Sequence, residues 1–157
     1  MSRDRVVFFL NGERHEVGPE HAKLMLSDYL REVRSLKGTK VVCAEGDCGA
    51  CSVLRWFPFG EDYFIAINSC ITTTAQMDGS SLVTVDSLGD TGLSPVQEAM
   101  VKCHGSQCGY CTPGFVVALS ALVEKKIFRN EDGAISEKEA KNALTGNLCR
   151  CTGYQPI

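Results

Sequence analysis

Nine cysteines in a chain of 157 residues constrain this protein more than any other feature. They are unevenly spaced: Cys43, Cys48 and Cys51 lie close together, Cys70 follows after eighteen residues, Cys108 and Cys111 form a second short group, and Cys149 and Cys151 a third. Cys103 stands apart from these patterns. The opening MSRDRVVFFLNGER has no basic region followed by an uninterrupted apolar core and a small-residue cleavage site, so a reducing, cytoplasmic setting is expected and a disulfide scaffold is not. An odd number of thiols in such a setting reads as metal or cluster ligands with one left over. Sixteen basic residues against nineteen acidic ones, scattered along the chain, give a net charge of −3. That balance argues against nucleic-acid binding, which needs a basic stripe to displace counterions. No apolar run is long enough for a transmembrane helix.

The chain divides into two parts of different character. Val6 to Leu10, the dipeptide Asn11-Gly12 and a mixed stretch to Val17 predict a hairpin, because Asn-Gly tolerates the positive φ angles of a type I′ turn. Leu26, Tyr29, Leu30 and Val33 recur at helical spacing, predicting one helix from about Ala22 to Leu36 with Gly38 as its stop. Residues 39 to 51 predict a loop. Ser52 to Phe57 and Tyr63 to Ile67 predict a second hairpin, and Leu82 to Val85 a last short strand. The first part is thus a small mixed sheet with one helix across it. Asp86 to Gly92 is expected to connect it to a helical part. There Ser94-Pro95-Val96-Gln97 and Ser136-Glu137-Lys138-Glu139 are capping boxes, and Thr112-Pro113 repeats the cap-then-proline signal ahead of an apolar helix. A fourth short helix is expected near the final cysteines.

Cys43-x4-Cys48-x2-Cys51 with a distant Cys70 is the spacing by which plant-type ferredoxins hold a 2Fe-2S cluster. Gly46, Gly49 and Ala50 let the backbone wrap closely and turn N–H groups toward sulfur. Glu45 and Asp47 are expected to face solvent and to lower the reduction potential. Four thiolates also suit zinc, although zinc sites usually pair their ligands as two short knuckles. Cys108-x2-Cys111 and Cys149-x-Cys151 are less specific by spacing. A cluster, a zinc ion or a thioredoxin-like dithiol at Cys108 and Cys111 all fit them. Each pair is expected at the start of a helix.

The motifs CAEGDCGAC (43–51), HGSQCGYCTPG (104–114) and GNLCRCTGYQPI (146–157), together with FFLNGE, DYLRE, MDGSSLVTVDSL and SPVQEAM, resemble the iron-sulfur domains of the molybdenum hydroxylases, the xanthine dehydrogenase family. Within it the chain is similar to the N-terminal part of bacterial small subunits. The resemblance implies an α+β protein: a β-grasp 2Fe-2S ferredoxin-like domain over residues 1–86, then an all-α four-helix 2Fe-2S-binding domain over 93–157. It implies that Cys43, Cys48, Cys51 and Cys70 ligate the cluster nearer FAD, and Cys108, Cys111, Cys149 and Cys151 the cluster nearer molybdenum. Gln107 and Cys151 match family positions that contact the pterin. The implied function is transfer of electrons from molybdopterin-bound molybdenum through two 2Fe-2S clusters to FAD, with FAD and molybdopterin on partner domains or subunits of a hetero-oligomeric oxidoreductase. Aldehyde, nicotinate or carbon monoxide hydroxylases share most of these motifs, and a zinc-binding structural module is the remaining alternative. The chain itself would carry no substrate site and no catalytic residue. Two features depart from the family: Val41-Val42 stands where Glu-Gly is common, and Tyr154 to Ile157 halts within the last motif, so a linker and FAD domain are expected to follow.

Several residues outside the ligand patterns carry weaker expectations. Cys103 reads as a small apolar residue on the helix from Pro95. His15 and His21 read as surface residues, and His104 as shaping the turn before Gln107. Arg150 either stabilises cluster charge or faces solvent. Trp56, Phe57, Pro58 and Phe59 suggest a docking surface at a hairpin tip.

Overall fold

The computed structural model describes residues 4–89, 92–131 and 133–157. Asp90 and Thr91 of the expected connection therefore lie outside the described residues. Strands β1 (Val6–Leu10) and β2 (Glu13–Val17) form the predicted hairpin. Asn11 and Gly12 both have positive φ, 52° and 85°, as a type I′ turn demands. Phe8 and Leu10 are buried while Phe9 between them is exposed, the period-two signature of a strand with one covered face.

The predicted helix from Ala22 to Leu36 is broken. A single turn, α1 (Pro19–Ala22), is followed by α2 (Leu26–Asp28), which widens into a π-helical turn over Tyr29–Val33. Residues 24 to 26 instead pair with residues 72 to 74: Leu26 N–H donates to the Thr72 carbonyl at 2.7 Å and Thr74 N–H to the Leu24 carbonyl at 2.9 Å. Met25 is extended, and it bridges Thr73. Long-range pairing thus overrides a local helical pattern. The helix ends earlier than Gly38, at Ser35, which adopts φ 58°.

No helix or strand occurs from Arg34 to Cys51. Then come β3 (Ser52–Trp56), β4 (Ile65–Asn68) and β5 (Ser81–Val83), with 3-10 turns at Ser69–Ile71 and Thr74–Met77. The sheet order is β2-β1-β5-β3-β4, with β1 and β5 parallel and the other neighbours antiparallel. One apolar cluster lies between the sheet and α2, built on Phe8, Leu10, Leu26, Tyr29, Leu30, Val53, Met77 and Leu82. Burial of a ring such as Phe8 contributes about 2 to 3 kcal/mol. His15 belongs to this interior too: it is 8% exposed and stacks on Phe8 at 5.9 Å, correcting its reading as a surface residue. On β2 its position alternates inward with Val17, so the pleat decides its burial.

The helical part contains α3 (Pro95–Lys102), α4 (Thr112–Phe128) and α5 (Glu137–Ala143). Both capping boxes form: Gln97 N–H donates to Ser94 Oγ at 3.3 Å, and Glu139 N–H to Ser136 Oγ at 3.3 Å. Helix α4 is buried at Phe115, Val116, Val117 and Ala118, and packs against β3 and β4. A second apolar cluster joins Val96, Met100, Phe115, Val116 and Cys149. Two expectations fail here. Cys111 rather than Thr112 occupies the N-cap of α4, and the Thr112 hydroxyl instead meets Ser106 Oγ at 2.8 Å. Residues 146 to 157 form turns and no fourth helix, so Cys149 and Cys151 do not begin one. Gly153 at φ 68° and Tyr154 at φ 69° take left-handed backbone that a helix cannot contain. Among the described residues no helix is long and apolar enough to cross a membrane.

Candidate metal centres

The register of the second hairpin assembles the first cysteine group. Ser52 on β3 opposes Asn68 on β4, which carries the chain past Ser69 to Cys70 beside Cys51. Ser69 secures this return, its Oγ and N–H both donating to the Cys51 carbonyl at 2.7 and 3.3 Å. The 43–51 loop winds through left-handed backbone at Ala44, Gly46 and Gly49, with φ 57°, 82° and 68°. Ala44 is not glycine, so this conformation costs about 1 to 2 kcal/mol locally. Its effect is to turn successive N–H groups inward. Those of Glu45, Cys48 and Asp47 reach the Cys43 sulfur, while the side chains of Glu45 and Asp47 are exposed. The Gly46 N–H reaches Cys70. Asn68 braces the loop by donating Nδ2 to the Gly46 carbonyl at 2.6 Å.

The second group is drawn from more distant segments. Helix α3 ends in a Schellman turn: His104, at φ 55°, donates its N–H to Val101, and Gly105 donates to Met100. His104 thus shapes the turn that leads to Gln107 and Cys108. Gln107 and Cys108 are exposed, as are Arg150 and Cys151. Cys149 is buried beneath Tyr154, whose hydroxyl accepts its N–H at 2.9 Å and whose ring lies against Phe115. Thr152 donates to Cys149 Sγ through Oγ1 at 3.1 Å and N–H at 3.5 Å.

In both groups the thiols meet in pairs. Cys43 contacts Cys48, and Cys51 contacts Cys70. Cys111 contacts Cys149, and Cys108 contacts Cys151. Within each group the two pairs are near enough to feel one another: Cys43 acts electrostatically on Cys70, and Cys108 on Cys111. Among the described residues no three metal-binding side chains close around a single ion position.

The electrostatics follow from the donors and from burial. The N–H groups of Glu45 and its neighbours draw the Cys43 thiol down to about 6. Burial, reinforced by Cys51, pushes Cys70 up to about 12. Burial and the adjacent Cys149 do the same to Cys111, also to about 12. Burial opposes ionisation of Cys149, but the Thr152 hydroxyl, the Thr152 and Cys151 N–H groups and the Cys111 thiol outweigh it and bring it to about 7. Cys151 is raised, first by its contact with Cys108. Each group therefore contains one sulfur whose thiolate form is favoured, Cys43 in the first and Cys149 in the second.

Cys103 lies at the C-cap of α3, at the end of the helix from Pro95, and is exposed. At the hairpin tip Phe59 is 88% exposed and stands edge-on to Phe57 at 5.6 Å. Three contributors escaped the spacing argument. Gly114 has no room for a Cβ, which would collide with the Gly49 carbonyl oxygen, and a glycine inside an apolar helix is the signal that marks it. Thr152 and Tyr154 stand in the last motif, but only folding shows which group each serves.

Residues 84–157 match the family model described as a 2Fe-2S binding domain. The class is accordingly that of iron-sulfur proteins. The chain is 40% identical over 98% of its length to xanthine dehydrogenase of Blastobotrys adeninivorans and 41% identical over its whole length to aldehyde oxidase 1 of Rattus norvegicus, spanning 11% and 12% of those relatives. Its fold matches quinoline 2-oxidoreductase from Pseudomonas putida 86 with a TM-score of 0.79 and 34% identity, over 97% of this chain and 86% of that one. The chain belongs to the xanthine dehydrogenase, or molybdenum hydroxylase, family and corresponds to its iron-sulfur region.

Proposed function

We propose that this chain is the electron-transfer module of a xanthine dehydrogenase-like molybdenum hydroxylase, with one 2Fe-2S cluster on Cys43, Cys48, Cys51 and Cys70 and a second on Cys108, Cys111, Cys149 and Cys151. It is read as two domains, a β-grasp ferredoxin-type domain over 1–86 and a helical domain over 93–157. The observation that carries this reading is the pairing of thiols two by two in both groups. A diiron cluster takes two protein ligands on each iron, whereas zinc takes four around one point. Bound clusters would supply one-electron exchange, linking a molybdopterin centre on one partner to FAD on another.

The residues of the chain hold and tune those groups. The N–H groups over Cys43 and Cys70 would stabilise the charge of the first cluster, and Thr152 that of the second. Exposure of Gln107, Cys108 and Cys151 leaves that side of the second group open to a docking partner, in keeping with a pterin contact at Gln107 and Cys151. Substrate chemistry, in this reading a xanthine-type hydroxylation or its aldehyde counterpart, resides outside the chain.

Anaerobic purification after expression with iron tests the proposal. The expected product holds iron and acid-labile sulfide in equal amounts, about four of each per chain, with two distinct paramagnetic signals on reduction. A colourless chain with stoichiometric zinc overturns it.

A further inference from the structure

The two cysteine groups are fastened to each other at one point. The Gly49 carbonyl, inside the first ligand loop, accepts three hydrogen bonds: Ser52 Oγ at 2.8 Å, Ser52 N–H at 3.2 Å, and Asn147 Nδ2 at 3.2 Å. The preceding carbonyl, of Cys48, accepts the Leu148 N–H at 3.0 Å. Asn147 and Leu148 immediately precede Cys149, so a segment belonging to the second group reaches across to the turn between two ligands of the first. Asn147 is 7% exposed, and a buried amide is retained only where its hydrogen bonds are satisfied. Gly114 of α4 completes the junction by letting the helix backbone meet the Gly49 carbonyl without a side chain between them.

We infer that Asn147 is a positioning residue for the first cluster, although in sequence it belongs to the second. Ser52 alone secures the Gly49 carbonyl from within the sheet. The Asn147 amide and Leu148 N–H anchor the Cys48-Gly49 peptides from the other side, and this sets how the loop presents Cys48 and Cys51. The inference rests on the proposed ligand sets, and its test separates the two. In the 157-residue chain, Cys51→Ser and Cys149→Ser first assign the two paramagnetic signals, since an oxygen ligand moves only the signal of the cluster it joins. Asn147→Asp keeps the shape of the side chain, but replaces a donor with a carboxylate facing the Gly49 carbonyl.

The expected result is a changed g-tensor and a lowered midpoint potential for the signal assigned by Cys51→Ser. Movement confined to the signal assigned by Cys149→Ser, or no movement with both clusters loaded, overturns the inference. If Asn147→Asp fails to take up iron, amide hydrogen exchange of Asn147→Ala as isolated decides. Faster exchange over residues 44–52, with β1 and β2 unchanged, supports the anchor, and unchanged exchange over 44–52 overturns it. Failure of Cys51→Ser to move either signal refutes the ligand assignment instead, while the exchange measurement still reads the anchor.

Discussion

The two cysteine groups each gather four thiols, in different enclosures. In the first, Cys51, Cys70 and Cys48 are only 2%, 6% and 8% exposed, and the donors come from the loop itself. In the second, Cys149 is buried while Cys108 and Cys151 are exposed, and the donors come from residues after Cys149 and from Cys108. A continuous loop brings three of the first group's thiols together along nine residues of chain, with Asn68 and Asn147 bracing it. Two short pairs separated by nearly forty residues must be held together by the packing of α3, α4 and Tyr154 around Phe115. The second group consequently depends on its apolar core more directly than the first.

That contrast is sharpest in the cores. Phe8→Ala and Phe115→Ala should each cost about 3 to 5 kcal/mol, because each ring is fully buried. Phe115→Ala should lower the iron bound by the second group while the first cluster's signal survives. Phe8→Ala acts the other way or leaves both. Denaturation followed by the two cluster signals separately measures this, and identical loss of both signals in both variants would break the comparison. A smaller effect is expected at the junction. Gly114→Ala forces a methyl group against the Gly49 carbonyl, an overpacking penalty of about 1 to 3 kcal/mol. It should perturb both signals, since Gly114 stands near Cys111 and presses on the 43–51 loop.

The smallest difference is in acid. Burial, then the Arg34 charge, lowers the His15 pKa below 6.5, while Glu13 opposes the shift. The unfolded chain therefore takes up this proton first, so stability is complete above 6.5 and falls as pH drops below it. Glu139 in the helical part is held down to about 2 by the Ser136 hydroxyl and N–H and by Lys126. Its contribution is present above the ordinary value of 4.5 and is lost as pH falls through about 2. Urea titrations of His15→Phe should show a flatter pH dependence just below 6.5, and those of Glu139→Ala a flatter one below 4.5. A steeper rather than flatter dependence in either variant would refute the sign of that residue's shift.

Much of the fold was legible locally. Asn11-Gly12 announced the first hairpin, and Ser94, Gln97, Ser136 and Glu139 announced two helix starts, because in each case the interacting groups lie within four residues. The same locality misled at residues 22–36, where helical periodicity is genuine but the backbone of residues 24–26 pairs with residues 72–74. It misled again at Thr112, whose hydroxyl finds Ser106, and after Gly146, where a helix was expected and turns were found. His15 carried no sequence mark of burial, since one inward position in a short strand reads like any other polar residue.

By itself the sequence determined the thiol inventory, the cysteine spacing of the first loop, the caps and the family motifs, all of which depend on neighbours along the chain. Only the tertiary structure decided that Cys70 meets Cys51, that Cys149 and Cys151 divide between Cys111 and Cys108, and that Asn147 reaches back to Gly49. These contacts join residues far apart in the chain. Their formation depends on strand register, on the burial of Phe115 and on the absence of a side chain at Gly114, and no local pattern encodes those together.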